Sequence, residues 1–199
     1  MQLGFLASNN GSSLRAVARA IEAGELNARV RLVVSNRPAA PALDFARGLG
    51  LPTLTLPTAR DPQGADARLA EAMMSAEVEW IVLSGYLRKL GPRTLTAFSG
   101  RIINIHPALL PKFGGQGLYG RRVHEAVIAA GETISGASVH LVDNEYDHGP
   151  VLARAEAPVM PNDTGETLER RVMAIEPKLL VQTLRRLAVD PNQKSAIAE

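Results

Sequence analysis

Arg101-Ile102-Ile103-Asn104-Ile105-His106-Pro107 is a short apolar run carrying two polar side chains and closed by proline. It is too short for a stable helix and rich in β-branched isoleucine, so it reads as a buried strand. Pro107 stops it, because proline has no N–H for a ladder and forces the residue before it into extended geometry. Residues two apart on a strand share a face, so Asn104 and His106 point the same way. A hydrophobic strand with polar groups at its carboxyl end is what open α/β sheets place beside their ligand crevices.

Outward from that run, short apolar segments alternate with amphipathic ones. Strands are expected at Leu3–Ala7, Val30–Ser35, Leu54–Leu56, Trp80–Ser84, Arg101–Ile105, Ser135–Val142 and Val151–Val159. Helices are expected at Ser13–Ala23, Pro41–Leu49, Gly64–Ala76, Arg121–Ala130 and Thr167–Ala188. The first half alternates strand and helix, which implies parallel strands with right-handed crossovers. The later strands, joined by a tight Tyr146–Pro150 turn, read as antiparallel. The fold class is therefore α/β, a single doubly wound, mostly parallel sheet with antiparallel strands near the C-terminal part. One domain is expected over residues 1–188, followed by a polar, aperiodic and flexible tail at 189–199.

Composition narrows the chemistry. A chain of 199 residues with 46% hydrophobic content can bury one sizeable core. It has no cysteine, so disulfides, thiolate catalysis and cysteine-ligated zinc are excluded. Its first residues lack the basic flank and apolar run of a signal peptide, and no apolar stretch is long enough for a membrane span. A cytoplasmic protein without membrane contact is expected. The 22 basic residues are scattered among 20 acidic ones, with no aromatic-interleaved basic stripe, so no nucleic-acid partner is expected.

Two further segments carry candidate chemistry. Ser8-Asn9-Asn10-Gly11-Ser12-Ser13-Leu14 joins the first strand to the first helix and is neither a dinucleotide fingerprint nor a Walker sequence. Gly11 permits close backbone approach, Ser12 and Ser13 add hydroxyls, and a helix N-terminus attracts anions, so the loop suits a phosphate monoester. A serine there could equally do no more than cap the helix. Asp147-His148-Gly149-Pro150 lies forty residues beyond His106, and if Asp147 folds back, the trio Asn104, His106 and Asp147 unites an amide donor, a proton carrier and a carboxylate. Metal binding by His106, His140, His148 and Asp147 is not expected, because no paired-histidine spacing supports it.

Asn104-Ile105-His106-Pro107-Ala108-Leu109-Leu110-Pro111, Gly136-Ala137-Ser138-Val139-His140 and Glu145-Tyr146-Asp147-His148-Gly149-Pro150 together resemble the folate-dependent formyltransferase family, over roughly residues 1–188. The resemblance implies a Rossmann-like fold, 10-formyltetrahydrofolate as co-substrate, no metal, and Asn104, His106 and Asp147 as catalytic residues. Larger relatives carry an additional domain, for which this chain has no room. With the first loop, that length points to the member that passes the formyl group to the amine of glycinamide ribonucleotide in purine biosynthesis. Gly11, Ser12 and Ser13 then bind the ribonucleotide phosphate, although the family usually has asparagine where Ser13 stands. Glu176 also contacts the ribonucleotide, with Pro177 in place of a frequent histidine. The folate is enclosed by Tyr86, Leu87, Arg88 and Leu90 and by His140, Val142, Asp143, Asn144 and Glu145. Residues 112–120, with four glycines, suggest a mobile flap.

The expected partners are these small molecules, with the protein a monomer or homodimer. A hydrolase that releases formate, or a formyltransferase for another phosphorylated amine, is the alternative.

Overall fold

The computed structural model describes residues 1–189, and the statements below concern those residues. They group into two compact units, one spanning Met1–Ile103 and one beginning at Asn104.

The first unit contains β1 (Gln2–Leu6), α1 (Ser12–Glu22), β2 (Arg29–Ser35), α2 (Pro41–Gly48), β3 (Thr53–Thr55), α3 (Pro62–Ser75), β4 (Trp80–Leu83) and α4 (Pro92–Ala97). The strands lie in the order β3-β2-β1-β4 and every pairing among them is parallel. Phe5, Leu6, Val33, Ile81 and Val82 are fully enclosed, as strands covered on both faces by crossover helices must be. Trp80, at the start of β4, is 5% exposed. On α1, Leu14, Val17 and Ala20 recur at helical spacing and form its buried face. Helix starts follow local chemistry: Pro41, Pro62 and Pro92 each occupy a first helical turn, where a missing N–H is harmless. The Asp61 carboxylate caps α3 by accepting the Gly64 N–H at 2.8 Å.

β5 (Ile102–His106) carries the chain into the second unit, which continues with α5 (Arg121–Ala129), β6 (Ile134–Leu141), β7 (Val151–Pro158) and α6 (Gly165–Val189). β6 and β7 pair antiparallel, from Ile134 opposite Pro158 to His140 opposite Val151. Gly136 is required there, since a Cβ would collide with the Ala155 carbonyl on β7. α6 buries Leu168, Val172, Leu180 and Leu184.

The α/β class, the parallel first half and the antiparallel later strands are as expected, with strand limits within a residue. One element was not expected. α4 is six residues long, too short to display a period, and its cap comes from far along the chain. Asp66 on α3 accepts the Arg93 and Thr94 N–H groups at 2.8 and 3.1 Å and the Thr94 hydroxyl at 2.6 Å. α6 also includes Val189, which the sequence assigned to the tail. The rest of that expected tail, 190–199, lies outside the described residues.

Candidate active site

In the second unit, Asp147 is the centre of a cluster. It adopts the left-handed conformation, φ 56°, which aspartate tolerates better than most residues. The backbone around it is fixed by crowding, for a Cβ on Gly149 would meet the Leu141 carbonyl. Asp143 draws the same loop closed, accepting the Glu145 N–H at 2.8 Å and pairing with His148 Nδ1 at 3.0 Å.

So placed, the Asp147 carboxylate stands between two imidazoles. Oδ2 lies 3.4 Å from His106 Nδ1 and Oδ1 lies 3.4 Å from His140 Nε2. Oδ2 also accepts the Gly115 N–H at 3.0 Å. Burial works against ionisation of Asp147, but the hydrogen bonds from His106, His140 and Gly115 outweigh it and hold the carboxyl well below the usual carboxylate range. Asp147 is thus a fixed anion.

His106 is 3% exposed. Its Nε2–H donates to the Phe113 carbonyl at 2.8 Å, so Nδ1 can face a carboxylate as a second donor only in the imidazolium form. The 112–120 segment thereby engages the His106 Nε2–H, and Phe113 itself stands at φ 57°. His140 donates from Nδ1 to the Leu141 carbonyl at 2.8 Å, and its Nε2 stands 3.1 Å from the Asn104 amide nitrogen as well as beside Asp147. Asn104 and His106 do share one face of β5, and the structure joins them to Asp147. It brings His140 into the same cluster, a residue that the resemblance placed among folate contacts alone.

Ser138 explains another part of the quoted motifs. Its buried hydroxyl donates to the Ala108 carbonyl at 2.7 Å and accepts the Leu110 N–H at 3.0 Å, while Arg154 donates twice to the Leu110 carbonyl. The backbone after His106 is therefore pinned.

Two groups in the electrostatic field of His106 complete this unit. Glu176, on α6 just before Pro177, has its pKa pushed up to about 7 by burial, the neighbouring Glu169 adding to the rise and His106 opposing it. His124 on α5 is 1% exposed with an unpartnered Nδ1, and burial lowers its pKa. No spacing in the sequence marks His124, because its setting comes from α6 and β5 rather than from neighbours in the chain.

The first unit holds most of the remaining candidates. Gly11, not a serine, is the N-cap residue of α1, with φ 65° and no side-chain cap, which removes the alternative that a serine of this loop is the helix cap. Ser12 is exposed and Ser13 buried. A Cβ on Gly11 would lie 2.8 Å from the Ala42 Cβ, so packing against α2 already demands glycine there. Tyr86 and Leu90 line a cavity of about 540 Å³ with Asp66, Leu69, Lys89, Pro92 and Arg93. Burial pushes the Tyr86 phenol up. Leu87 and Arg88 are exposed, as are Asn144 and Glu145 in the second unit, where Val142 is half-buried. Among the described residues no group of three or more His, Cys, Asp or Glu side chains could hold a metal ion, and no helix is long and apolar enough to cross a membrane.

The profile of the formyl transferase family matches residues 1–184. This chain belongs to the formyl transferase family. Its relatives include phosphoribosylglycinamide formyltransferase of Vigna unguiculata, chloroplastic, 39% identical over 188 residues that cover 94% of this chain and 60% of that one. The Escherichia coli protein of the same name is 35% identical over 178 residues, 88% of this chain and 82% of that one. The crystal structure of glycinamide ribonucleotide transformylase 1 from Symbiobacterium toebii superposes with TM-score 0.87 at 33% identity, covering 95% of this chain and 88% of that one. This formyl transferase chain spans about three fifths of the Vigna relative's length.

Proposed function

We propose that this chain transfers the formyl group of 10-formyltetrahydrofolate to the amine of glycinamide ribonucleotide, a step of purine biosynthesis. The observation that carries the reading is the Asp147 carboxylate seated between His106 and His140, with Asn104 beside them. In this reaction the amine nitrogen bonds to the formyl carbon and the carbonyl electrons move onto oxygen. Collapse of that tetrahedral oxyanion breaks the bond to folate N10, which takes up a proton. His106, oriented by Asp147, and the Asn104 amide supply the donors for the oxyanion, each worth about 3 kcal/mol in comparable sites. His106 Nε2–H becomes available when the Phe113 carbonyl gives way. Asp147 relays the proton lost by the amine, directly or through water, toward the N10 leaving group and remains the anion at the end of the step.

The remaining assignments belong to the same proposal. Gly11, Ser12 and Ser13 bind the phosphate and Glu176 contacts the ribonucleotide. Tyr86, Leu87, Arg88, Leu90, Val142, Asp143, Asn144 and Glu145 enclose the folate, and His140 adds to that role its contacts with Asn104 and Asp147. Residues 1–188 act as one formyltransferase domain in the cytoplasm, a reading supported for the domain by the span of the family match.

The test follows folate absorbance on mixing 10-formyltetrahydrofolate with the protein, with and without glycinamide ribonucleotide. Turnover that requires the ribonucleotide is expected, and formate released without it would replace the transferase by a hydrolase. His106→Ala is expected to lower turnover on the order of 100-fold or more in protein that remains folded, since a loss far beyond any fall in folded fraction marks a chemical role. Activity within threefold of wild type would remove His106 from the mechanism.

A further inference from the structure

Two loops carry the substrate assignments in the Met1–Ile103 unit, and they are bonded to each other. The first runs from Ser8 to Ser13, the second from Ser84 to Leu90. Ser8, 1% exposed, stands just beyond the end of β1. Its hydroxyl donates to Asn36 Oδ1 at 2.7 Å and accepts the Leu87 N–H at 2.9 Å. The single hydroxyl proton is committed to Asn36, which turns a lone pair toward Leu87. The Ser8 N–H also donates to the Gly85 carbonyl at 3.3 Å. A second link runs from the other side. The Ser84 hydroxyl, on a residue equally buried, accepts the Leu14 N–H in the first turn of α1 at 3.4 Å.

The second loop needs such support. It contains no helix or strand, it opens with Gly85 at φ 65°, and its Leu87, Arg88 and Lys89 side chains are exposed. Ordering a segment of this kind opposes ligand binding, and a first ligand that imposes the order lowers the cost for a second.

We propose that Ser8 is a positioning residue that couples the two substrates. A phosphate on the first loop immobilises Ser8, Ser8 holds Leu87, and the 84–90 loop is pre-ordered for the folate. The inference rests on the functional reading above. Linkage requires the effect to be reciprocal, so folate tightens the ribonucleotide by the same factor. One neutral hydrogen bond corresponds to a factor of roughly two to twelve in an equilibrium constant, so the coupling is expected at about three- to tenfold.

Glycinamide ribonucleotide and tetrahydrofolate form a suitable pair, because without a formyl group no reaction follows. Calorimetric titration under anaerobic conditions gives the ribonucleotide Kd with and without saturating tetrahydrofolate. In wild type the ratio is expected at about three to ten, and in Ser8→Ala below about 1.5 while each ligand still binds alone. A merely structural loss would weaken both affinities and leave the ratio in place. Should Ser8→Ala fail to fold, Ser84→Ala reads the second link by the same ratio and is expected to reduce it. Wild-type protein that binds both ligands independently, or a ratio unchanged in both variants, overturns the coupling alone. Wild-type protein that binds neither overturns the functional reading and the coupling with it.

Discussion

Glu176 is a carboxyl whose charge changes near neutral pH. Burial raises its pKa from 4.5 in the unfolded chain to about 7. A carboxyl with a raised folded pKa binds its proton more tightly in the native state. Its contribution is fully present below pH 4.5 and is lost as the pH rises through 7. Glu176→Gln cannot titrate and is expected to lack that decline. The stability of wild type relative to the variant should therefore fall by on the order of 2 kcal/mol between about pH 5 and about pH 8. Urea unfolding at each pH measures it, and parallel profiles for the two proteins would show that Glu176 is not desolvated. The same residue shows the limit of sequence at this scale. Asn104 and His106 were legible because strand geometry fixes both on one face, whereas the acidity of Glu176 and the orphaned Nδ1 of His124 arise from other elements closing over them.

Among the elements, the start of α1 makes the sharpest demand. Gly11 combines a left-handed backbone with a Cβ position against Ala42, whereas Gly24, at φ 72°, faces open space. Gly24→Ala is expected to cost about 1 kcal/mol from backbone strain alone, and Gly11→Ala to cost about 1–2 kcal/mol more, because α1 and α2 must separate. Equal losses in denaturant midpoint, at constant m, would mean that α2 yields freely. Elements with their own periodicity or proline start, such as α1, α2 and α3, could be read locally. α4 could not, since its cap is Asp66, delivered by α3 from 27 residues away. The same carboxylate leaves no room for a side chain at Gly91, so a residue that looks like ordinary turn chemistry is fixed by tertiary contact. Ser8 is a comparable case: in sequence it is one more polar residue after a strand, and its bonds to Asn36 and Leu87 exist only once three strands are aligned.

For the molecule as a whole, activity is expected to survive exhaustive dialysis against a strong chelator. The reason is chemical. In the proposed mechanism His106 donates from its Nε2–H, and a nitrogen that ligates a metal must instead have its lone pair free. Loss of turnover on chelation, restored by zinc or magnesium, would replace oxyanion donation by Lewis-acid polarisation of the formyl oxygen. Trp80 offers a different kind of access. It is the chain's single tryptophan, and it sits buried on β4 within the Met1–Ile103 unit. Its fluorescence therefore reports on the surroundings of β4, whereas far-ultraviolet dichroism sums the helices of both units. Melting curves recorded by the two optical signals form a built-in test of cooperativity: superimposable traces mean that the halves of the chain unfold as one, and a tryptophan signal that changes at its own temperature means that they do not.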